Sequence, residues 1–323
     1  IHARQGEMTA AEPVFYEALR EADRTGDSGL YVRILERYGS AQLANNRVGK
    51  ADAALCEAFR LRRTFGMDLP DRTYRDLALL SLRQGDLEAA QIAWEEAYRL
   101  APQDGNVQYE GARLALALND LENAEVRAWD MIRALPKDGR TWALLGLILA
   151  RREQSKAAAQ ALSVAQSLSP DLTTSIFVEH WRAARQAGDI STMASLAQTY
   201  SGAFPDDPLV FYYRTAPLLS VGDAASALPQ LISALKDNPD APAVLWYTLG
   251  EAYLAHHAFT ETITVLEVAG SRMAAGDITL NLASDNPPID LSLKLARAYL
   301  GSGRCAEAAV SYTHLTLPTK RIV

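Results

Sequence analysis

Apolar residues recur along the chain at helical spacing, in stretches of about three to four turns, each closed by a turn signal and followed by another. Between residues 71 and 269 those signals keep one period. Pro102, Pro136, Pro170, Pro205 and Pro239 stand 34, 34, 35 and 34 residues apart, each a few positions after a helix-like apolar stretch. Proline lacks the amide hydrogen a helix interior needs, so each marks a helix end. Between them runs a second signal, Gly85-Asp86, Asn119-Asp120, Glu153-Gln154, Gly188-Asp189 and Gly222-Asp223, with the same spacings. Gly or Asn suits the left-handed residue that closes a helix, and the Asp after it can accept the first free amides of the next. The predicted unit is helix, short turn, helix, Pro-marked turn, and a period of this length decides the fold before any local reading.

A third signal lies inside the helices, in the pattern W-x2-L-G-x2-Y followed by a small residue, an apolar one and Pro. Trp246, Leu249, Gly250 and Tyr253 reproduce its first half, and Trp142, Leu145, Gly146, Ala158, Leu162, Ala165 and Pro170 carry it through both helices. Looser copies are Tyr74, Leu77, Ala78, Ala90, Trp94, Ala97 and Pro102, then Phe211, Leu218, Ala227, Leu231, Ala234 and Pro239. On these residues the chain resembles the tetratricopeptide repeat family. The resemblance implies an all-α fold, an α-solenoid of antiparallel helix pairs in a right-handed superhelix, with a peptide-binding role. The small residues have a packing reason: Gly146 is expected to face Ala158, and Ala78 to face Ala90, where paired helices cross. Trp181 and Met193 stand where two small residues are expected, so those helices either sit wider apart or the register slips by one.

The solenoid is expected to span 1–309, clearest over 71–269. A unit around Tyr38, Gly49 and Ala54 precedes that stretch, and Gly6, Ala11, Phe15 and Ala18 read as the second helix of a unit before it. Leu295, Ala296, Tyr299, Gly303 and Ala308 open a last unit. Tyr299 follows Tyr253 by 46 residues, about twelve more than the period, so a loop insertion is expected within about 270–288, where Gly, Asn, Asp and two prolines gather. Residues 310–323, VSYTHLTLPTKRIV, break the helical pattern and resemble a translated sequencing adaptor. They are expected to be non-native and the sequence truncated there. Ile1 in place of Met leads to the same expectation at the other end, which leaves compartment and signal peptide open.

Composition narrows the chemistry. Of 323 residues 49% are hydrophobic and the net charge is −7. No run reaches the roughly 20 apolar residues of a membrane helix. Cys56 and Cys305 belong to no metal-ligand cluster, His256-His257 occupies an intra-unit turn, and Gly301-Ser302-Gly303 falls on a repeat turn with no strand before it. No catalytic, cofactor-binding or metal site is expected, and no cofactor.

The informative constellation is a predicted face. In the tetratricopeptide family the groove is lined mainly by first-helix positions two, five, nine, twelve and thirteen, counting the Trp-like position as four. Carried onto this chain, those positions collect Arg72, Arg75, Arg83, Arg113, Arg140, Arg151, Arg182 and Arg185 with Tyr109, Tyr212 and Tyr247, against the single acid Glu251. Arginine grips carboxylates through two parallel donors, and tyrosine adds rigid contact area. The expected function is a scaffold or adaptor, not an enzyme, binding a protein or peptide partner; an acidic segment is one reading of the arginines, and the other is that they are good helix formers whose stems cover apolar surface. The alternative is a recognition arm of a larger enzyme whose catalytic domain lies outside this sequence. RNA binding ranks behind both because of the negative net charge, so no nucleic acid partner is expected. Partner identity and oligomeric state are not legible.

Overall fold

The computed structural model describes residues 8–236 and 238–316. Among them are seventeen α-helices and no strand. The chain falls into two compact units, one of residues 1–153 with 164–170, the other of 154–163 with 171–323.

The first unit contains α1 (Met8–Thr25), α2 (Ser28–Ala44), α3 (Val48–Thr64), α4 (Asp71–Gln84), α5 (Leu87–Leu100), α6 (Gly105–Ala117), α7 (Leu121–Ala134) and α8 (Gly139–Arg151), and α9 (Ser155–Leu168) is shared between the units. α2 pairs with α3, α4 with α5 and α6 with α7, while α2, α4, α6 and α8 also touch one another in succession. First helices therefore form a continuous layer. α1, which carries Ala11, Phe15 and Ala18, packs against α2; Gly6 lies outside the described residues. Ala78 and Ala90 are both buried in one cluster with Trp94, Ala97, Val107 and Leu114, as the crossing argument requires. Gly146 and Ala158 are also buried.

The second unit contains α10 (Thr173–Ala187), α11 (Ile190–Ala203), α12 (Leu209–Ser220), α13 (Ala224–Lys236), α14 (Ala243–Ala255), α15 (Phe259–Ala274), α16 (Pro287–Gly301) and α17 (Cys305–Thr316). Its pairs are α10 with α11, α12 with α13, α14 with α15 and α16 with α17, and α12, α14 and α16 again touch in succession. Trp181 and Met193 are both buried in the core of this unit. The Trp181 ring packs edge-on to Tyr213 with centroids 4.7 Å apart, and its indole nitrogen donates to the Tyr212 hydroxyl at 3.1 Å. Both residues face the core, so the register holds there, and α10 and α11 approach each other less closely than α4 and α5 or α14 and α15.

Turn chemistry repeats throughout. Gly85, Asn119, Glu153, Gly188 and Gly222 all adopt positive φ, as do Asn46, His257 and Gly303 at the corresponding turns. Asp86, Asp120, Asp189 and Asp223 each accept an amide from the first turn of the next helix. The insertion lies between α15 and α16 and includes a short 3-10 turn over Thr279–Leu282. α17 continues to Thr316, so the helix does not break at Val310 as expected; residues 317–323 of the tail lie outside the described residues.

Candidate functional site

In the first unit the expected residues sit on α4 (Arg72, Arg75, Arg83), α6 (Tyr109, Arg113) and α8 (Arg140, Arg151), the helices that touch in succession. Tyr109 lies between two cations: the guanidinium carbons of Arg113 and Arg140 are each 5.9 Å from its ring centre. Such stacking contributes about 0.5–1 kcal/mol at exposed sites.

Carboxylates answer these arginines. Arg113 donates to Glu110 at 2.9 Å, and Arg140 grips Asp138 with two donors at 2.8 and 3.2 Å. Arg75 stands 3.8 Å from Asp104 and 4.0 Å from Asp76, while Arg72 lies 3.7 Å from Asp76. Asp76 also takes a hydrogen bond from the Ser40 hydroxyl. Burial pushes the Asp76 and Glu110 carboxyls above their ordinary range, even though the neighbouring arginines, Arg75 and Arg72 at Asp76 and Arg113, Arg75 and Arg83 at Glu110, pull the other way. Arg83 reaches back to the Leu43 carbonyl at 2.7 Å and Asn46 at 2.9 Å. Arg151 is exposed in the last turn of α8.

In the second unit Arg182 pairs with Glu179 on α10 at 2.8 Å. Arg185 and Gln186 both donate to Asp285 of the insertion, at 2.7 and 3.0 Å. Tyr212 and Tyr247 are 1% and 2% exposed, because the insertion lies against them. The Tyr212 hydroxyl donates to the Leu282 carbonyl at 2.7 Å, and Leu280 packs with Tyr247. Burial raises the pKa of both phenols, so they remain donors. Glu251 is paired with Lys294 at 2.9 Å, and the Lys294 ammonium lies 5.4 Å from the Tyr247 ring centre. Beside the insertion is a cavity of about 440 Å³ whose wall carries Arg185, Lys294 and Arg297 against Glu251.

Several residues that contact the candidate site are absent from the sequence-based expectation, and all but one left a signal. Asp76, Glu110 and Glu179 all occupy the position after the fifth, one residue outside the set considered. Gln186 stood at position thirteen but is neither Arg nor Tyr. Arg297 occupies position nine of the last unit, counted from Tyr299, to which the register was not extended. Asp285 had no such signal, because a loop lies outside any helical register.

No nucleophile with an adjacent base appears in this arrangement, and among the described residues no group of three or more His, Cys, Asp or Glu is placed to hold a metal ion. Among the described residues no helix is long and apolar enough to cross a membrane.

No family model and no curated protein matches the chain. Solved structures do. A tetratricopeptide repeat protein from Parabacteroides merdae matches over 83% of this chain and 98% of its own, at 15% identity and a TM-score of 0.50. The Cut9-Hcn1 hetero-tetramer of the APC/C matches over 98% of this chain and 57% of that one, at 16% identity and a TM-score of 0.50. Human IFIT1 with m7Gppp-AAAA matches at 17% identity, over 89% and 68%, with a TM-score of only 0.44. The fold is therefore tetratricopeptide-like, and at these identities the likeness speaks to fold alone.

Proposed function

We propose that this chain is an interaction scaffold that holds a partner protein by an acidic segment laid along its first-helix faces. The observation that carries this reading is that guanidinium groups on those faces are engaged with carboxylates in both units, Glu110 from a helix, Asp138 from the turn before α8 and Asp285 from the insertion. Fork-like donors flanked by tyrosine hold an incoming carboxylate without rearranging their helices. Tetratricopeptide-like neighbours support the scaffold half of the reading. The local arginine clusters leave phosphate as the competing ligand, so the test must include RNA.

Fluorescence anisotropy with a labelled acidic peptide, and in parallel with single-stranded RNA, should be titrated from low to high salt. The peptide is expected to bind and to weaken as salt rises, since its contacts are ionic and only partly buried. Arg113→Ala should cost about 1.5–3 kcal/mol of that binding, while Arg133→Ala, at an exposed position of α7 paired with Asp130, should cost none. Binding of RNA but not peptide, or peptide binding indifferent to Arg113, would remove the acidic-segment reading.

A further inference from the structure

The insertion between α15 and α16 is held at two places of different character. Its front is anchored: Asp277 and Thr279 accept the amides of Ala243 and Val244 at 2.8 and 3.2 Å, and Leu280 is 1% exposed in a core with Leu266 and Leu291. Its rear lies across groove positions. The Leu282 carbonyl takes the Tyr212 hydroxyl, and three residues on, the Asp285 carboxylate takes Arg185 and Gln186. Tyr212, Arg185 and Gln186 hold positions five, twelve and thirteen, those from which a bound segment would be read. Between the two contacts stand the small residues Ala283, packed against the core, and Ser284, 2% exposed, whose hydroxyl donates to Asp290 of α16 and accepts the Asn286 amide.

We propose that the groove of the second unit recognises a short segment bearing a carboxylate three residues after a docked backbone carbonyl, with small residues between, and that residues 282–285 are a tethered stand-in which such a segment of a partner protein displaces. This rests on the acidic-segment reading above and gives it a motif. Of the rear contacts, the Asp285 ion pair is the one suited to exchange. The Asp285 side chain is 56% exposed and that of Arg185 21%, and an ion pair that open to water holds its partners by a factor of only a few. The tether compensates, because a short linker supplies an effective concentration in the millimolar range. An incoming segment gains what the stand-in does not use. Arg185 Nε is buried with no acceptor, and the adjoining cavity offers Arg297 as a further cation beside the Lys294–Glu251 pair. A partner that enters there reaches Arg185 before the stand-in has left.

The probe is a fluorescein-labelled peptide of residues 280–287, LNLASDNP, with a scrambled control. Anisotropy is read on the parent chain, Asp285→Ala, Asp285→Ala with Arg185→Ala, and a variant carrying Gly and Ser at 282–285, with melting curves confirming that each is folded. Asp285→Ala should bind the peptide about fivefold more tightly than the parent, the double variant should lose that gain, and the scrambled peptide should not bind. Saturating peptide should also expose Leu282 of the parent to chymotrypsin. Equal affinity of parent and Asp285→Ala, or equal binding of the scrambled peptide, overturns the proposal and makes the insertion a permanent cover. Absence of binding to every variant overturns it too. The acidic-segment reading is judged separately by the Arg113 assay in the first unit, so the two can fail independently.

Discussion

His257 holds a φ of +57° in the turn between α14 and α15, where the equivalent turns at Gly188 and Gly222 use glycine. A side chain in that region costs about 1–2 kcal/mol, and glycine gives back about 0.5–1 of it in unfolded-state entropy. His257→Gly should therefore stabilise the protein by a few tenths to about 1 kcal/mol, read as a shift in the urea midpoint at constant slope. Asp189 works in the other direction. It accepts the Thr192 amide at 3.0 Å and hydrogen bonds to the hydroxyls of Ser191 and Thr192, so Asp189→Ala should cost about 1 kcal/mol by the same measurement. A third residue ties stability to pH. His180 is 2% exposed, with its Nε2 at 3.1 Å from the Ser163 hydroxyl, and burial lowers its pKa below the ordinary 6.5. Where pH falls below 6.5, the unfolded chain takes up a proton that the native state refuses. The His180 contribution is therefore present at neutral pH and lost on acidification, at up to about 1.4 kcal/mol per pH unit. Denaturant midpoints at neutral and mildly acidic pH should diverge less in His180→Gln than in the parent.

At the scale of helices, stability rests on how closely each pair crosses. A Cβ placed on Gly250 would stand 2.7 Å from Leu266 Cγ, and one on Gly111 would stand 2.6 Å from Trp94 Cε2. Gly250→Leu should thus destabilise by about 1–3 kcal/mol through overpacking, visible as a lower melting temperature. An unchanged melting temperature would mean that α14 and α15 do not meet there. The helix pairs were legible in the sequence because their signals are periodic and local: a left-handed residue, an Asp cap and a proline recur with one spacing, and a small residue marks each close crossing. The turn at Glu153 was legible from spacing alone, without the Gly or Asn its φ of +61° favours. The continuation of α17 to Thr316 was not, because helix propensity is a weak prior that a neighbouring helix can override. In the candidate site the arginines are read from the sequence, and the acids that pair with them are not. Asp76 and Glu110 lie one residue outside the positions considered, and Asp285 joins Arg185 across 100 residues of chain through a loop whose path no helical period encodes.

On the scale of the whole molecule, each unit presents a layer of first helices, and in the second unit the chain's own insertion lies against that layer. A binding account built on first helices makes a spatial prediction that a generic sticky surface does not. Second helices such as α11 and α13 should take no part, and the exposed pairs Arg133–Asp130 and Arg99–Glu96 on α7 and α5 should be bystanders. The most direct test is amide hydrogen exchange of the full chain with and without a saturating acidic peptide at low salt. The account predicts added protection on α4, α6 and α8 or on α10, α12 and α14, faster exchange in residues 282–286 wherever α10 and α12 are protected, and no change on α5, α7, α11 and α13. Protection confined to those second helices, or none at any salt concentration, would contradict it.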